Sequence, residues 1–170
     1  VIIQVTIFLV ASALFYNTYR DKTIKSGKTS AKVTAESAPN TNSFNDVEYS
    51  GFDLKGNRYV LNADQATFKT ETPEIIDMKS VVAKFYLKDK TILTVVSDEG
   101  IYNNITLDMD FKKNVKSDYL THKLFSDLLS YSNSNANLIA TGNVVGESIE
   151  KGEFSADKVK YDLTEKMLNF

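Results

Sequence analysis

The chain of 170 residues is 42% hydrophobic and 25% charged, an ordinary globular balance with material for one core. Zero cysteine removes disulfides, thiolate metal sites and cysteine nucleophiles together. The net charge of −2 is uneven, +3 over residues 20–36 and −5 over 44–170, and so acidic a domain cannot neutralise phosphates, which excludes nucleic acid as a partner.

Val1 to Tyr16 is apolar except for Gln4, Thr6, Ser12 and the Tyr16 hydroxyl, with Phe8 and Leu14 in its apolar body. Tyr16, Tyr19 and Arg20 then form an interfacial belt with a basic anchor, so residues 1–20 are expected to be a single transmembrane helix. Gln4 and Thr6 in such a helix are better placed against protein than against acyl chains. Two other readings compete. Ala11-Ser12-Ala13 fits a signal-peptide cleavage site, although the apolar run continues past it through Leu14, Phe15 and Tyr16. A buried core helix is the third, but the polar stretch that follows would isolate it from the core. The basic cluster at 20–32 runs against the positive-inside rule if the domain lies outside.

Residues 21–45 read as a flexible linker. Eleven of these 25 residues are Ser, Thr or Asn, too polar a stretch to offset its own ordering entropy, although part of it could add an edge strand.

Residues 46–170 read as strands. Tyr49 to Leu54, a Lys55-Gly56-Asn57 turn and Arg58 to Phe68 predict a first hairpin. Ile105 to Phe111 alternates with period two and predicts another strand. Tyr119 to Tyr131 places Leu120, Leu124 and Leu128 at helical spacing, yet a repeat assigns it to a strand. That repeat is a small residue, then Asp, then an aromatic ring four residues after the Asp. The copies are Ala63-Asp64…Phe68, Ser97-Asp98…Tyr102, Ser126-Asp127…Tyr131 and Ala156-Asp157…Tyr161. A register held at several positions marks one structural unit stacked repeatedly. Apolar positions −3 and −1 from each Asp share one strand face, whereas +2 and +4 share the other. A strand whose inward face switches midway suits one that bends through a corner, with the Asp bonding local backbone there. The expected fold class is mainly β, a bent antiparallel jelly roll.

No chemistry stands out. His122 lies beside Lys123 with no nucleophile nearby in sequence, and a solvated surface position explains it. Structural repetition accounts for the four Asp residues together. Asp108 and Asp110 could bind a hard cation weakly but fit a solvated strand face better, and Asn104-Ile105-Thr106 matches the short glycosylation pattern. No P-loop, dinucleotide fingerprint or zinc spacing occurs, so neither catalytic nor metal-binding residues are assigned. Register aims Phe68, Phe85, Tyr102, Phe111 and Tyr131 into the space between sheets, where they are candidates to line an apolar groove for an acyl chain. The alternative is a tethered scaffold that docks proteins by its strand edges and carries no lipid. An open interior favours the first reading and a filled one the second.

The whole pattern resembles the LptC family, bitopic periplasmic components of the bacterial lipopolysaccharide exporter. The likeness rests on the N-terminal apolar run, the segment Gly51 to Ala66 and the motif Thr141-Gly142-Asn143-Val144, which is shared with OstA-like domains. Lys79-Ser80-Val81 and Lys113-Asn114-Val115 lack the Gly of that motif. The resemblance implies an inner-membrane protein with its C-terminal domain in the periplasm and no cofactor. It further implies lipopolysaccharide received from the LptB/LptF/LptG transporter and passed to LptA, the two partners docking at strand edges. The C-terminal edge, with Val159, Tyr161, Leu168 and Phe170, is then the candidate docking surface.

Overall fold

A computed structural model describes residues 30–32, 40–149, 152–165 and 167–169. The expected membrane helix, with Gln4, Thr6, Phe8 and Leu14, lies outside the described residues, as does Phe170. Among the described residues no helix is long and apolar enough to cross a membrane.

Ten strands follow one another: β1 (Ser30–Lys32), β2 (Thr41–Phe52), β3 (Arg58–Lys69), β4 (Thr72–Tyr86), β5 (Ile92–Asn103), β6 (Met109–Tyr119), β7 (His122–Ser132), β8 (Asn137–Ser148), β9 (Gly152–Asp162) and β10 (Met167–Asn169). Each is antiparallel to its neighbours in sequence, so the sheet is a simple meander, with β1 and β10 its edges among the described residues. It is jelly-roll-like in shape without a Greek-key crossover. β1 and the start of β2 fall within residues 21–45. The helical spacing of Leu120, Leu124 and Leu128 is overridden: Leu120 is in a turn and the other two lie on β7.

One expected strand is divided. Asn103 Oδ1 accepts the N–H groups of Ile105 and Thr106 at 2.9 and 3.0 Å, and Leu107 N–H bonds the Asn103 carbonyl at 2.8 Å. These bonds fold 104–108 into a turn with Ile105 exposed, and the strand starts at Met109.

The sheet is sharply folded. Tyr59 pairs with Phe85 near one end of β4, and Tyr102 pairs with Ile76 near its other end, about 30 Å away along an extended strand. Their hydroxyls nevertheless lie 3.0 Å apart. Every long strand therefore crosses a corner that divides the sheet into an upper wing (47–52, 58–63, 81–86, 92–97, 115–119, 122–126, 144–148, 152–156) and a lower wing (41–45, 65–69, 72–79, 99–103, 109–112, 128–132, 137–141, 158–162).

The four repeat Asp residues stand on this corner on β3, β5, β7 and β9. Opposite them on the even strands are Asp46, Ser80, Asn114 and Asn143, with φ of 52°, 53°, 51° and 48°. Positive φ at successive crossings turns the chain, and Asn, Asp and Ser tolerate it through short polar side chains. Gly142 joins the row at φ 76°, where a Cβ would come 2.7 Å from Asp127 Oδ2, whereas Lys113 adopts φ 61° without being Gly. The Asp side chains act differently from expectation. Asn114 Nδ2 donates to Asp98 Oδ2 at 2.6 Å and Asn143 Nδ2 to Asp127 Oδ2 at 2.7 Å, so these Asp residues bond the neighbouring strand. The local backbone is bonded by the preceding Ser: Ser97 Oγ donates to the Glu99 carbonyl at 2.8 Å and Ser126 Oγ to that of Leu128 at 3.1 Å.

Because the corner inverts the side-chain alternation, both halves of a strand face one interior. Leu61, Ala63 and Ala66 on β3, and Val95, Ser97 and Tyr102 on β5, are all buried in it. The wings do not lie strand over itself. Tyr49 of β2 meets Tyr102 of β5 at 5.1 Å between ring centroids, Phe85 of β4 meets Tyr131 of β7 at 5.0 Å, and Tyr119 of β6 meets Tyr161 of β9 at 5.9 Å. The upper halves of β2, β4 and β6 thus pack on the lower halves of the strands three further along.

A polar latch closes the seam at the N-terminal side. Buried Asp53 accepts Lys55 N–H (2.9 Å), Asn57 N–H (2.7 Å), Asn57 Nδ2 (2.8 Å) and the Tyr131 hydroxyl (3.4 Å). Next to it Leu54 N–H donates to Asn133 Oδ1 at 3.0 Å, while Asn133 holds Asp108 Oδ1 and the Thr106 carbonyl. Asp108 and Asp110, read as solvated, are used structurally, the latter by accepting from Ser130 Oγ.

Burial pushes the hydroxyls of Tyr59, Tyr102 and Tyr131 well above the ordinary tyrosine range, because the phenolate cannot be solvated there. A raised folded-state pKa stabilises the fold fully below the unfolded value of about 10, and that contribution is lost as pH rises beyond it. Alkaline titration should therefore show stability falling above pH of about 10. The tyrosinate absorbance of these three rings should appear only together with unfolding; early, reversible ionisation of all tyrosines in the folded domain would contradict this burial.

Candidate functional site

The two wings are not equally filled. Between the upper halves of β3 and β4 and the lower halves of β5–β7 the interior is close-packed, with Tyr59, Phe85, Tyr102, Phe111 and Tyr131 each at most 2% exposed. Towards β6–β9 the wings enclose a cavity of about 570 Å³, within the ~300–1,000 Å³ of small-molecule sites. Its walls are Leu93, Tyr119, Leu124 and Phe154 from the upper wing and Leu129, Leu138, Ala140, Val159 and Tyr161 from the lower. His122, Lys123 and Glu147 form a polar rim at the hairpin ends, and Ser148, its Oγ buried, stands inside it.

Local sequence explains the space. Gly146 is paired with Phe154, and a Cβ there would lie 2.2 Å from the Phe154 ring, so the glycine lets that ring lie flat across β8. Ala140 and Ser148 are small where larger side chains would fill the volume. The site holds no arrangement for covalent chemistry. His122 is exposed at the rim, and among the described residues no group of three or more His, Cys, Asp or Glu could hold a metal ion.

The residues singled out from sequence fall into separate places. Phe85, Tyr102, Phe111 and Tyr131 are together in the packed part, and none of them lines the cavity. Phe68 stands apart on the lower wing, half-buried and stacked on Phe44 at 5.8 Å and 14°. Of the candidate edge residues, Val159 points inward and is buried, and Tyr161 lines the cavity. The backbone of Leu168 pairs with Tyr161 in β10. β9 is therefore covered by β10 over 160–162, and no described strand pairs the outer side of its upper-wing half. Sequence reasoning passed over Leu124 and Phe154 as site residues, although both occupy the −3 position of a repeat and so are aimed inward.

The profile of the family described as "LptC: Lipopolysaccharide-assembly, LptC-related" matches residues 5–170. No curated protein matches the chain. Among solved structures it is similar to the crystal structure of LptH, the LptA homologous periplasmic component of the conserved lipopolysaccharide transport device from Pseudomonas aeruginosa, at 9% identity and a TM-score of 0.46, over 84% of this chain and 80% of that one.

Proposed function

We propose a function from one premise: the chain belongs to the LptC-related family of lipopolysaccharide-assembly proteins. Its part in lipopolysaccharide transport is non-enzymatic. On this reading residues 1–20 are a single membrane helix, 21–45 a tether, and 46–170 a periplasmic domain held at the inner membrane. The domain takes lipopolysaccharide from LptB/LptF/LptG at its N-terminal edge and passes it to LptA at its C-terminal edge. The observation that carries the reading is the apolar cavity between the wings beside β8 and β9, the end from which lipid would leave. Phe68, Phe85, Tyr102, Phe111 and Tyr131 are then the interior against which acyl chains pass when the wings part.

The scaffold reading has one observation in its favour, the close-packed rings at the N-terminal side. A substitution in the cavity separates the two. Phe154 is half-buried, so Phe154→Asp should cost the fold only about 1–2 kcal/mol while placing a carboxylate among acyl-binding walls. With a photo-reactive residue at Leu124, lipopolysaccharide capture should fall at least about tenfold in the Phe154→Asp variant, consistent with ~1.4 kcal/mol or more of lost affinity. Circular dichroism should show the same β content. Unchanged capture would place the lipid outside the cavity, and no capture by the parent protein would favour the scaffold.

A further inference from the structure

Each of the four hairpins at the upper-wing end carries an apolar side chain that the core does not use. Phe52 and Leu54 at the β2–β3 turn, Ile92 at β4–β5, Leu120 at β6–β7 and Ile149 at β8–β9 are 65, 72, 45, 70 and 83% exposed. Neighbouring strands stand ~4.8 Å apart, so the tips form a row about 30 Å long, with one tip roughly every 10 Å. Turn chemistry does not call for these residues. Leu120 opens the two-residue turn between Tyr119 and His122 at φ 54°, where Gly, Asn or Asp sits at lower cost and Leu gains no burial. At the lower-wing end the turns at 70–71 and 133–136 expose no large apolar residue, and the other two have Ile105 and, just beyond, Met167.

Charge follows the same division. Residues 52–58, 86–92, 119–123 and 147–152 hold six Lys or Arg against four Asp or Glu, and one of those four, Asp53, is buried in the latch. Residues 69–72, 103–109, 132–137 and 162–167, at the lower-wing end, hold two against four. Lys55, Lys88, Lys90 and Lys123 are exposed beside the apolar tips. Apolar side chains interleaved with Lys are the composition that enters an anionic headgroup layer.

The sheet is also entered from this end. β1 runs antiparallel to β2, with Ser30 opposite Glu48 and Lys32 opposite Asn45, so the polarity of β1 starts it on the upper-wing side. Nine residues, 21–29, separate Ser30 from the expected membrane helix, and fully extended they reach at most about 32 Å. The tip at Leu54 lies about 20 Å beyond the level of Ser30 on that same side. With its strands upright, the domain therefore brings its tips within about 12 Å of the helix end.

Resting on the reading that residues 1–20 are a membrane helix, we propose that the upper hairpin tips seat on the headgroup layer of the anionic phospholipid bilayer that holds this helix. Phe52, Leu54, Leu120 and Ile149 enter the interface, and the lysines beside them meet lipid phosphates. The mouth of the cavity, with His122 and Lys123 at its rim, then faces the bilayer.

The chain contains no cysteine, so single thiols carry an environment-sensitive fluorophore to chosen positions. Leu120→Cys reports the tips, and Ile105→Cys, 74% exposed at the lower-wing end, is the reference. The full chain is reconstituted in vesicles of phosphatidylglycerol and phosphatidylcholine containing lipid spin-labelled just below the headgroup. Quenching at 120 should exceed that at 105 at least about threefold, and should fall about twofold or more in pure phosphatidylcholine. Equal quenching in both lipids would overturn the role of the lysines. A third thiol, Phe8→Cys, reports the membrane helix independently. Quenching at 8 with none at 120 above that at 105 would overturn the seat and leave the helix reading standing. Quenching at 120 alone would keep the seat and overturn the helix, and silence at both would overturn both. Positions 105 and 120 are exposed turn sites, so both labelled variants should melt at the temperature of the parent.

Discussion

Tyr102→Asp is expected to leave the domain without a cooperative melting transition. The ring is 1% exposed, packs on Tyr49 and shares a hydrogen bond with Tyr59 across the two wings. Removing a large buried side chain costs about 3–5 kcal/mol before the new carboxylate is counted. An unpaired carboxylate in that position adds several more, or must be neutralised to stay there. Domains of this size hold only about 5–15 kcal/mol in all. Loss of lipid transfer in this variant would therefore report unfolding and not the position of the groove. Tyr102→Phe is the informative companion. It keeps the ring and removes the hydroxyl that faces those of Tyr59 and Tyr49, so it should melt cooperatively with about 1–2 kcal/mol less stability in urea titration. A folded Tyr102→Asp domain would mean that the wings separate far more easily than their packing implies.

The second large effect is expected at the latch. Asp53→Ala removes the acceptor for two backbone N–H groups, the Asn57 amide and the Tyr131 hydroxyl, several of them buried. Buried donors left unsatisfied cost about 1–3 kcal/mol each, so a loss of about 3–5 kcal/mol is expected, or roughly 10 °C in melting temperature. Asp53→Asn keeps one acceptor oxygen and should lose less than half as much. Hydrogen exchange should localise the damage to the turns at 53–57 and 133–136, because Leu54 and Asn133 join the wings there. Uniform loss of protection with an unchanged melting temperature would show that Asp53 is not holding the seam.

Much of this architecture is written in local pattern. The spacing from Asp to ring marks equivalent places on alternate strands, and the parity change between positions −1 and +2 announces the corner. Side chains alternate strictly along a strand, so only a bend or bulge lets Leu61 and Ala66 share one core. Cross-strand events left no such trace. The bonding partner of Asp98 is Asn114, sixteen residues away, so a rule for local Asp bonding assigned the wrong role and Ser97 took the local one. The alternation in Ile105 to Phe111 was genuine but silent about Asn103, whose side chain folds the first half into a turn. Phe85, Tyr102, Phe111 and Tyr131 are buried in the interior, whereas Phe68 packs on Phe44 apart from the core. Which rings fill the interior depends on the offset between the wings, and that is settled only by tertiary packing.

That offset also governs how the chain can be built and how its length can vary. Tyr49 has no partner on the opposite wing until Tyr102 has been synthesised, 53 residues later, so a nascent meander of two or three strands has no second wing to close upon. A single two-strand repeat cut from the chain should accordingly be unable to fold alone, as in other stacked repeats. Insertions are constrained by the same geometry. Adding one strand would put Asp beside Asp and Asn beside Asn along the corner and reverse the direction of every strand that follows. Adding two preserves the corner bonds, the strand directions and the pairing of each ring with the third strand beyond it. The domain is free to lengthen or shorten, but only by whole hairpins.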